Sequence, residues 1–226
     1  MQYPVICVDN FFNNPYEIVK FANSLPCEVA GQYPGRRTEN LEITHVQFAK
    51  WISLKMLSVF FPNQYMKLKW ASHITFQKID PTQVDGGGWI HPDGDSELSA
   101  LVYLNEENLG GTSIFKNKSI HNINNDLGEQ NPILNKYEYF KDPKAFTKEE
   151  VDKCRQAMWK NFNEVTVFEG IFNRLVMYDG HEYHAQHVNP TDKTRLTLAC
   201  FFKNIHITPD HWEELAAKPL ESMRKI

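Results

Sequence analysis

From Lys67 onward the chain takes on a period of two. Leu68, Trp70, Ser72, Ile74, Phe76 and Lys78 alternate with the residues of the opposite face, in a segment rich in β-branched and aromatic side chains. Such a segment is a strand. Further strand-like runs follow at Leu98 to Leu104, Thr112 to Phe115, Glu164 to Phe168, Arg174 to Tyr178 and Thr194 to Phe202, set apart by Gly, Asn and Asp. Val5 to Val8 adds a short one near the start. Many short strands separated by turn residues imply a sandwich or barrel, so the expected fold class is mainly β with flanking helices.

The helices lie outside these runs. Asn13-Asn14-Pro15 opens one that runs to about Leu25, with Asn as cap and Pro near the first turn. A second, from Phe48 to about Phe60, spaces Phe48, Trp51, Ile52, Val59 and Phe60 to pack against a sheet. Both read as buttresses. Between Lys116 and Asn163 lies an insert, Asn-rich at first, then carrying a helix whose Thr147 cap and Glu150 three residues on form a capping-box pattern. Another helix is expected from Thr208-Pro209, broken at Pro219. With no repeat and no linker, the 226 residues are expected to form one domain, its core at about 68–203.

Charge excludes one large class. Lys and Arg number 24 against 28 Asp and Glu, a net charge of -4, and no segment gathers the basic run that binding a phosphate backbone needs, so nucleic acid is not the expected partner. Cys7, Cys27, Cys154 and Cys200 lack the close pairing of a zinc site, which points to reduced, buried thiols in a cytoplasm. No stretch approaches the roughly 20 apolar residues a membrane span requires. The expectation is a soluble cytoplasmic protein.

The chemistry begins at Gly86-Gly87-Gly88-Trp89-Ile90-His91-Pro92-Asp93. A His and an Asp two apart on extended backbone point to the same side, so an imidazole nitrogen and a carboxylate oxygen can meet one metal. With nine His and eleven Asp in the chain, on the order of 0.4 such pairs arise by chance, by simple match counting. The competing reading is a turn in which Asp accepts backbone hydrogen bonds. Downstream, Arg174-Leu175-Val176-Met177-Tyr178 leads into a turn with His181, His184 and His187, and a further strand holds Arg195, Leu196, Thr197 and Leu198.

On these residues the chain resembles the 2-oxoglutarate and Fe(II)-dependent dioxygenases, particularly the prolyl-4-hydroxylase-like branch. His184 falls six residues after Tyr178 and eleven before Arg195, similar to the family's spacing of distal His and basic residue. Tyr103-Leu104-Asn105 followed by Gly110-Gly111 and Phe115 resembles its Tyr-Leu-Asn strand end and Gly-Gly return. The resemblance covers Trp70 to Phe202 with gaps. It implies a double-stranded β-helix core, with His91, Asp93 and His184 on Fe(II) as a facial triad that leaves room for 2-oxoglutarate and O2. Arg195 would hold the far carboxylate, helped by Thr197 and Tyr103. The implied reaction releases succinate and CO2 and hydroxylates a C–H bond of a protein side chain or a small molecule.

Other readings stand beside these. Arg195 can instead pair with Asp192, and Tyr103 can simply fill the interior. Arg174 is undecided. Tyr33 to Thr38 reads equally as a substrate-contacting loop and as a solvated turn. His211 and Glu213 do not share a helix face, and Gly86 to Gly88 lack the Lys and Ser/Thr of a phosphate loop. The alternatives to an oxygenase are a non-catalytic double-stranded β-helix that binds a metal or ligand, and a zinc hydrolase, which would have no use for Arg195.

Overall fold

The structure is a computed structural model that describes residues 3–81, 88–118, 136–187 and 192–208. Strands β1 (Ile6–Val8), β2 (Arg36–Arg37), β3 (Leu68–Ile79), β4 (Leu98–Tyr103), β5 (Thr112–Asn117), β6 (Phe162–Phe168), β7 (Leu175–Asp179), β8 (Tyr183–Gln186) and β9 (Arg195–Ile207) form two antiparallel sheets. The larger has the order β1-β7-β4-β9-β3-β2 and the smaller β6-β5-β8. Residues 88–91 extend the smaller sheet along β8, where His91 and His184 exchange both backbone hydrogen bonds at 3.0 Å. This is the expected double-stranded β-helix.

The period of two sorts the large sheet into unlike faces. Ile74, Phe76, Leu98, Ala100, Val102, Leu175, Met177, Leu198, Cys200 and Phe202 point outward to one apolar core. Helices α1 (Pro15–Ser24) and α3 (Val46–Phe60) cover that face with Ile18, Ala22, Ala49, Ile52, Met56 and Leu57. A short helix α2 (Leu41–Thr44) precedes α3, its Asn40 carboxamide oxygen accepting from Glu42 and, on β3, from Ile74. The opposite face points inward and is polar although buried, with Thr75, Gln77, Ser99, Arg195 and Thr197 each 6% exposed or less. Burying polar groups against the smaller sheet is costly unless they serve a ligand or one another.

Several details differ from the sequence reading. Asn14 makes no side-chain cap hydrogen bond, and the Pro at the start of α1 does the work of fixing the first turn. Trp51 is 46% exposed and stacks on Phe12 rather than on the sheet. The four cysteines are free, but only Cys200 is buried; Cys7, on edge strand β1, is exposed. In the insert, α4 (Lys136–Lys141) precedes α5 (Lys148–Lys160), and the capping box at Thr147 and Glu150 forms as expected. The helix expected from Thr208-Pro209, His211 to Glu213, and Gly86-Gly87 fall wholly or largely outside the described residues. No helix among those described is long and apolar enough to cross a membrane.

Candidate metal centre

His91 and His184 face each other across the bridge that joins residues 88–91 to β8, with ring centroids 4.4 Å apart. Each ring is fixed by its own backbone. Nδ1 of His91 lies 2.7 Å from the Trp89 carbonyl, and Nδ1 of His184 lies 2.9 Å from the Glu182 carbonyl. A carbonyl only accepts, so both Nδ1 atoms carry the proton and both Nε2 atoms present a lone pair. Asp93 enters from the turn after His91, its N–H donating to the Gly180 carbonyl at 2.7 Å. Gly180 permits this approach, since a Cβ there would lie 2.1 Å from the Ser96 carbonyl oxygen.

The three side chains converge. Asp93 Oδ1 is 3.7 Å from His91 Nε2, Oδ2 is 3.4 Å from His184 Nε2, and one ligand atom from each residue lies within 4.8 Å of the others. With the imidazole protons on Nδ1, these are contacts between lone pairs, favourable only around a cation. Asp93 Oδ2 is accordingly buried without a hydrogen bond. Lys136, at the start of α4, places its ammonium against His91 Nε2, standing where a cation is wanted. Two neutral imidazoles and one carboxylate on one side of a point are the donor set of a divalent first-row metal, so the residues fit Fe(II).

Electrostatics agree with that reading. Burial, then Lys136 and His184, hold the His91 imidazole well below its ordinary value, in the neutral form a metal requires. Burial would raise Asp93, and cationic His184 and His91, with Lys136, outweigh it and lower the carboxyl; with both imidazoles neutral, the cation that keeps it ionised is Lys136 or a metal. Burial also lowers Lys136, to about 8.

Arg195 opens β9 on the inward face, fully enclosed, where its guanidinium lies 5.4 Å over the Tyr103 ring. Its Nη2 donates to the Gly111 carbonyl at 3.4 Å, while Nε has no partner. Gly111 is packed so tightly that a Cβ would meet the Phe168 carbonyl at 1.8 Å. Among the described residues Arg195 forms no ion pair, with Asp192 or otherwise. Thr197, two residues on, is buried with an unpartnered hydroxyl. Tyr103, opposite Thr197, donates its hydroxyl to Thr112 at 2.7 Å.

The remaining sequence candidates separate cleanly. His181 is bound to Asp179 at 2.9 Å, and His187 to Ser113 at 3.1 Å, so neither joins the triad. Arg174 pairs with Asp9 and is not among the residues that line the cavity. Gly88 is part of the ladder, donating to the Gln186 carbonyl at 3.0 Å. Sequence reasoning missed Lys136 altogether and left Arg37 in a loop of undecided role. Both line the cavity that contains His91, Asp93, His184 and Arg195.

Comparison with solved structures places the fold. The chain is similar to the non-heme alpha ketoglutarate dependent epimerase SnoN from nogalamycin biosynthesis, at 14% identity and TM-score 0.54, over 91% of this chain and 81% of that one. HygX from Streptomyces hygroscopicus, solved with nickel and 2-oxoglutarate bound, matches at 12% identity and TM-score 0.56, over 88% and 82%. A Pseudomonas putida prolyl-4-hydroxylase is also matched, at 12% identity and TM-score 0.48, over 88% and 91%. At such identities the likeness to SnoN and HygX establishes the architecture: the double-stranded β-helix of the 2-oxoglutarate and Fe(II)-dependent oxygenases. By sequence, the chain belongs to the family DUF6445, described as a family of unknown function, whose pattern matches residues 1–202. No curated protein matches it.

Proposed function

We propose that this protein is an Fe(II)- and 2-oxoglutarate-dependent oxygenase, with the whole chain forming one such domain. His91, Asp93 and His184 hold the metal, and Arg195, with Thr197 and Tyr103, receives the far carboxylate of 2-oxoglutarate. One observation carries the reading. Two Nε2 lone pairs and an orphaned Asp93 oxygen converge on one point, in the same cavity as a buried arginine that has no carboxylate partner among the described residues. A metal and a dicarboxylate satisfy all four.

When bound, the metal and cosubstrate supply the oxidising power, one O2 and one 2-oxoglutarate giving succinate, CO2 and a hydroxylated C–H bond of the substrate. The protein's own residues orient and exclude. The Trp89 and Glu182 carbonyls keep each imidazole from turning. Arg195 offers a planar fork, and Thr197 a hydroxyl, to one carboxylate. Tyr178, its ring centroid 4.7 Å from that of His184, keeps its phenol protonated, burial holding it well above its ordinary value. Hydroxylation is the default outcome of such chemistry, and SnoN, an epimerase, shares the fold. The substrate is a small molecule or a protein side chain.

The test is anaerobic titration of the Fe(II)-loaded protein with 2-oxoglutarate, following the weak visible band that ferrous iron and a chelating 2-oxo acid give together. The band should require both components and be lost in Asp93→Ala. A folded, iron-bound protein that gives no band would instead favour a non-catalytic binding module, in which Lys136 serves as the resident counter-cation of His91 and Asp93.

A further inference from the structure

Arg37 is the one residue of the two-residue strand β2 that turns inward, opposite Gln77 of β3. Its guanidinium is clamped between two rings, 3.9 Å from the Tyr33 centroid and 5.1 Å from that of Phe201. Nε is sealed from solvent without a hydrogen bond. Among the described residues Arg37 forms no ion pair, and the carboxylate whose field it feels is Asp93, already claimed by the metal centre. An arginine held this rigidly and left unpaired is costly unless a ligand completes it.

The charges around the cavity point the same way. Among the described residues, Arg37, Lys136 and Arg195 line it against a single carboxylate, Asp93, an excess of two positive charges. Fe(II) adds two and 2-oxoglutarate removes two, so the excess survives loading. The two carboxylates of 2-oxoglutarate are then both committed, one to the metal and one to Arg195. Arg37 remains, since Lys136 sits against His91 Nε2, the position the metal takes.

We infer that the substrate is a small molecule bearing an oxyanion, a carboxylate or a phosphate, and that Arg37 is the residue that takes it. The inference rests on the oxygenase reading through the charge that 2-oxoglutarate brings. Gln77, whose carboxamide donates to the Pro34 carbonyl at 2.7 Å, ties the Tyr33–Arg37 segment to the sheet and so fixes the guanidinium's direction.

The experiment uses the anaerobic Fe(II)·2-oxoglutarate protein, with acetate and inorganic phosphate as probes in separate calorimetric titrations at constant ionic strength. The visible band is followed throughout to show that 2-oxoglutarate stays bound. Saturable binding of one probe is expected, weakened at least tenfold in Arg37→Met, with Arg37→Lys intermediate. Arg37→Met should shift the 2-oxoglutarate midpoint less than threefold. Unfolding temperatures would show that both variants fold. No saturable binding to the wild type, or equal binding to Arg37→Met, overturns the inference. So does a loss of 2-oxoglutarate affinity in Arg37→Met as large as in an Arg195 variant, which would assign Arg37 to the cosubstrate. If the band never forms but a probe binds through Arg37, the oxygenase reading fails while the anion site stands.

Discussion

Replacing Arg195 with Met should move two quantities in opposite directions. In the ligand-free protein the guanidinium is enclosed, burial lowers its pKa, and a 3.4 Å bond to Gly111 and the Tyr103 ring are its described contacts. Exchanging a poorly compensated buried ion for an apolar side chain of similar length is expected to stabilise by about 1–3 kcal/mol. At 2–4 °C per kcal/mol for a chain of this size, Tm should rise by roughly 2–12 °C. Binding tells the opposite story. A fork that makes two charge-assisted hydrogen bonds of about 1.5–3 kcal/mol each contributes about 3–6 kcal/mol, so Arg195→Met should weaken 2-oxoglutarate by roughly two to four decades. With ligand at 100 times the wild-type Kd, the wild type gains about 2.7 kcal/mol, and a variant weakened 100-fold gains only about 0.4 kcal/mol. The advantage of the variant should therefore shrink or reverse when 2-oxoglutarate is added. Scanning calorimetry of the Fe(II)-loaded proteins under argon, with and without cosubstrate, reads both effects. A variant that melts lower without 2-oxoglutarate, or that binds it within tenfold of the wild type, would refute the argument; a loss of iron binding would make Arg195 a support of the fold.

Three further outcomes follow from the geometry. His184→Ala should abolish Fe(II)-dependent turnover and the visible band, while His181→Ala and His187→Ala keep most of both; the reverse ranking would place the third ligand elsewhere. Thr147→Ala removes the capping box of α5, costing about 1 kcal/mol, read as a fall of a few degrees in Tm with the 2-oxoglutarate midpoint unchanged. Burial would raise Asp179, but its bonds from the His181 and Tyr3 N–H groups and the His181 ring outweigh this and lower it. Its contribution is therefore present above the unfolded carboxyl value of about 4 and lost as pH falls from there through the lower folded value. Urea midpoints between pH 3 and 6 should fall less steeply for Asp179→Asn than for the wild type.

What the sequence carried was whatever depends on period and order. β3, β4, β7 and β9 were visible because their outward residues form an unbroken apolar set, and the triad because its members sit on or beside those strands in a fixed order. The two-residue β2 has no period to detect, so Arg37 looked like part of a polar turn, although the alternation of Arg36 outward and Arg37 inward is already written there. β8 is four residues long and was absorbed into the histidine-bearing turn. Lys136 had no local signal at all: it reaches His91 only because α4 is carried back over the cavity by the long-range packing of the insert. Cys7 escaped because burial on an edge strand depends on which face the neighbour covers.

Consider finally the interleaving of β9, where even-numbered residues 196–202 build the outer core while Arg195, Thr197, Ala199 and Phe201 lie on the inward face, Arg195 and Phe201 at the cavity itself. One stretch of chain thus carries two nearly independent instruction sets, one for assembly and one for chemistry. Drift in the second leaves the first almost untouched, so relatives with quite different substrates can descend by replacing every other residue. A combinatorial library confined to the inward positions 199 and 201 of β9 and 75 and 77 of β3, with Arg195 and Thr197 held, would sample substrate preference while keeping the folded scaffold common to all its members.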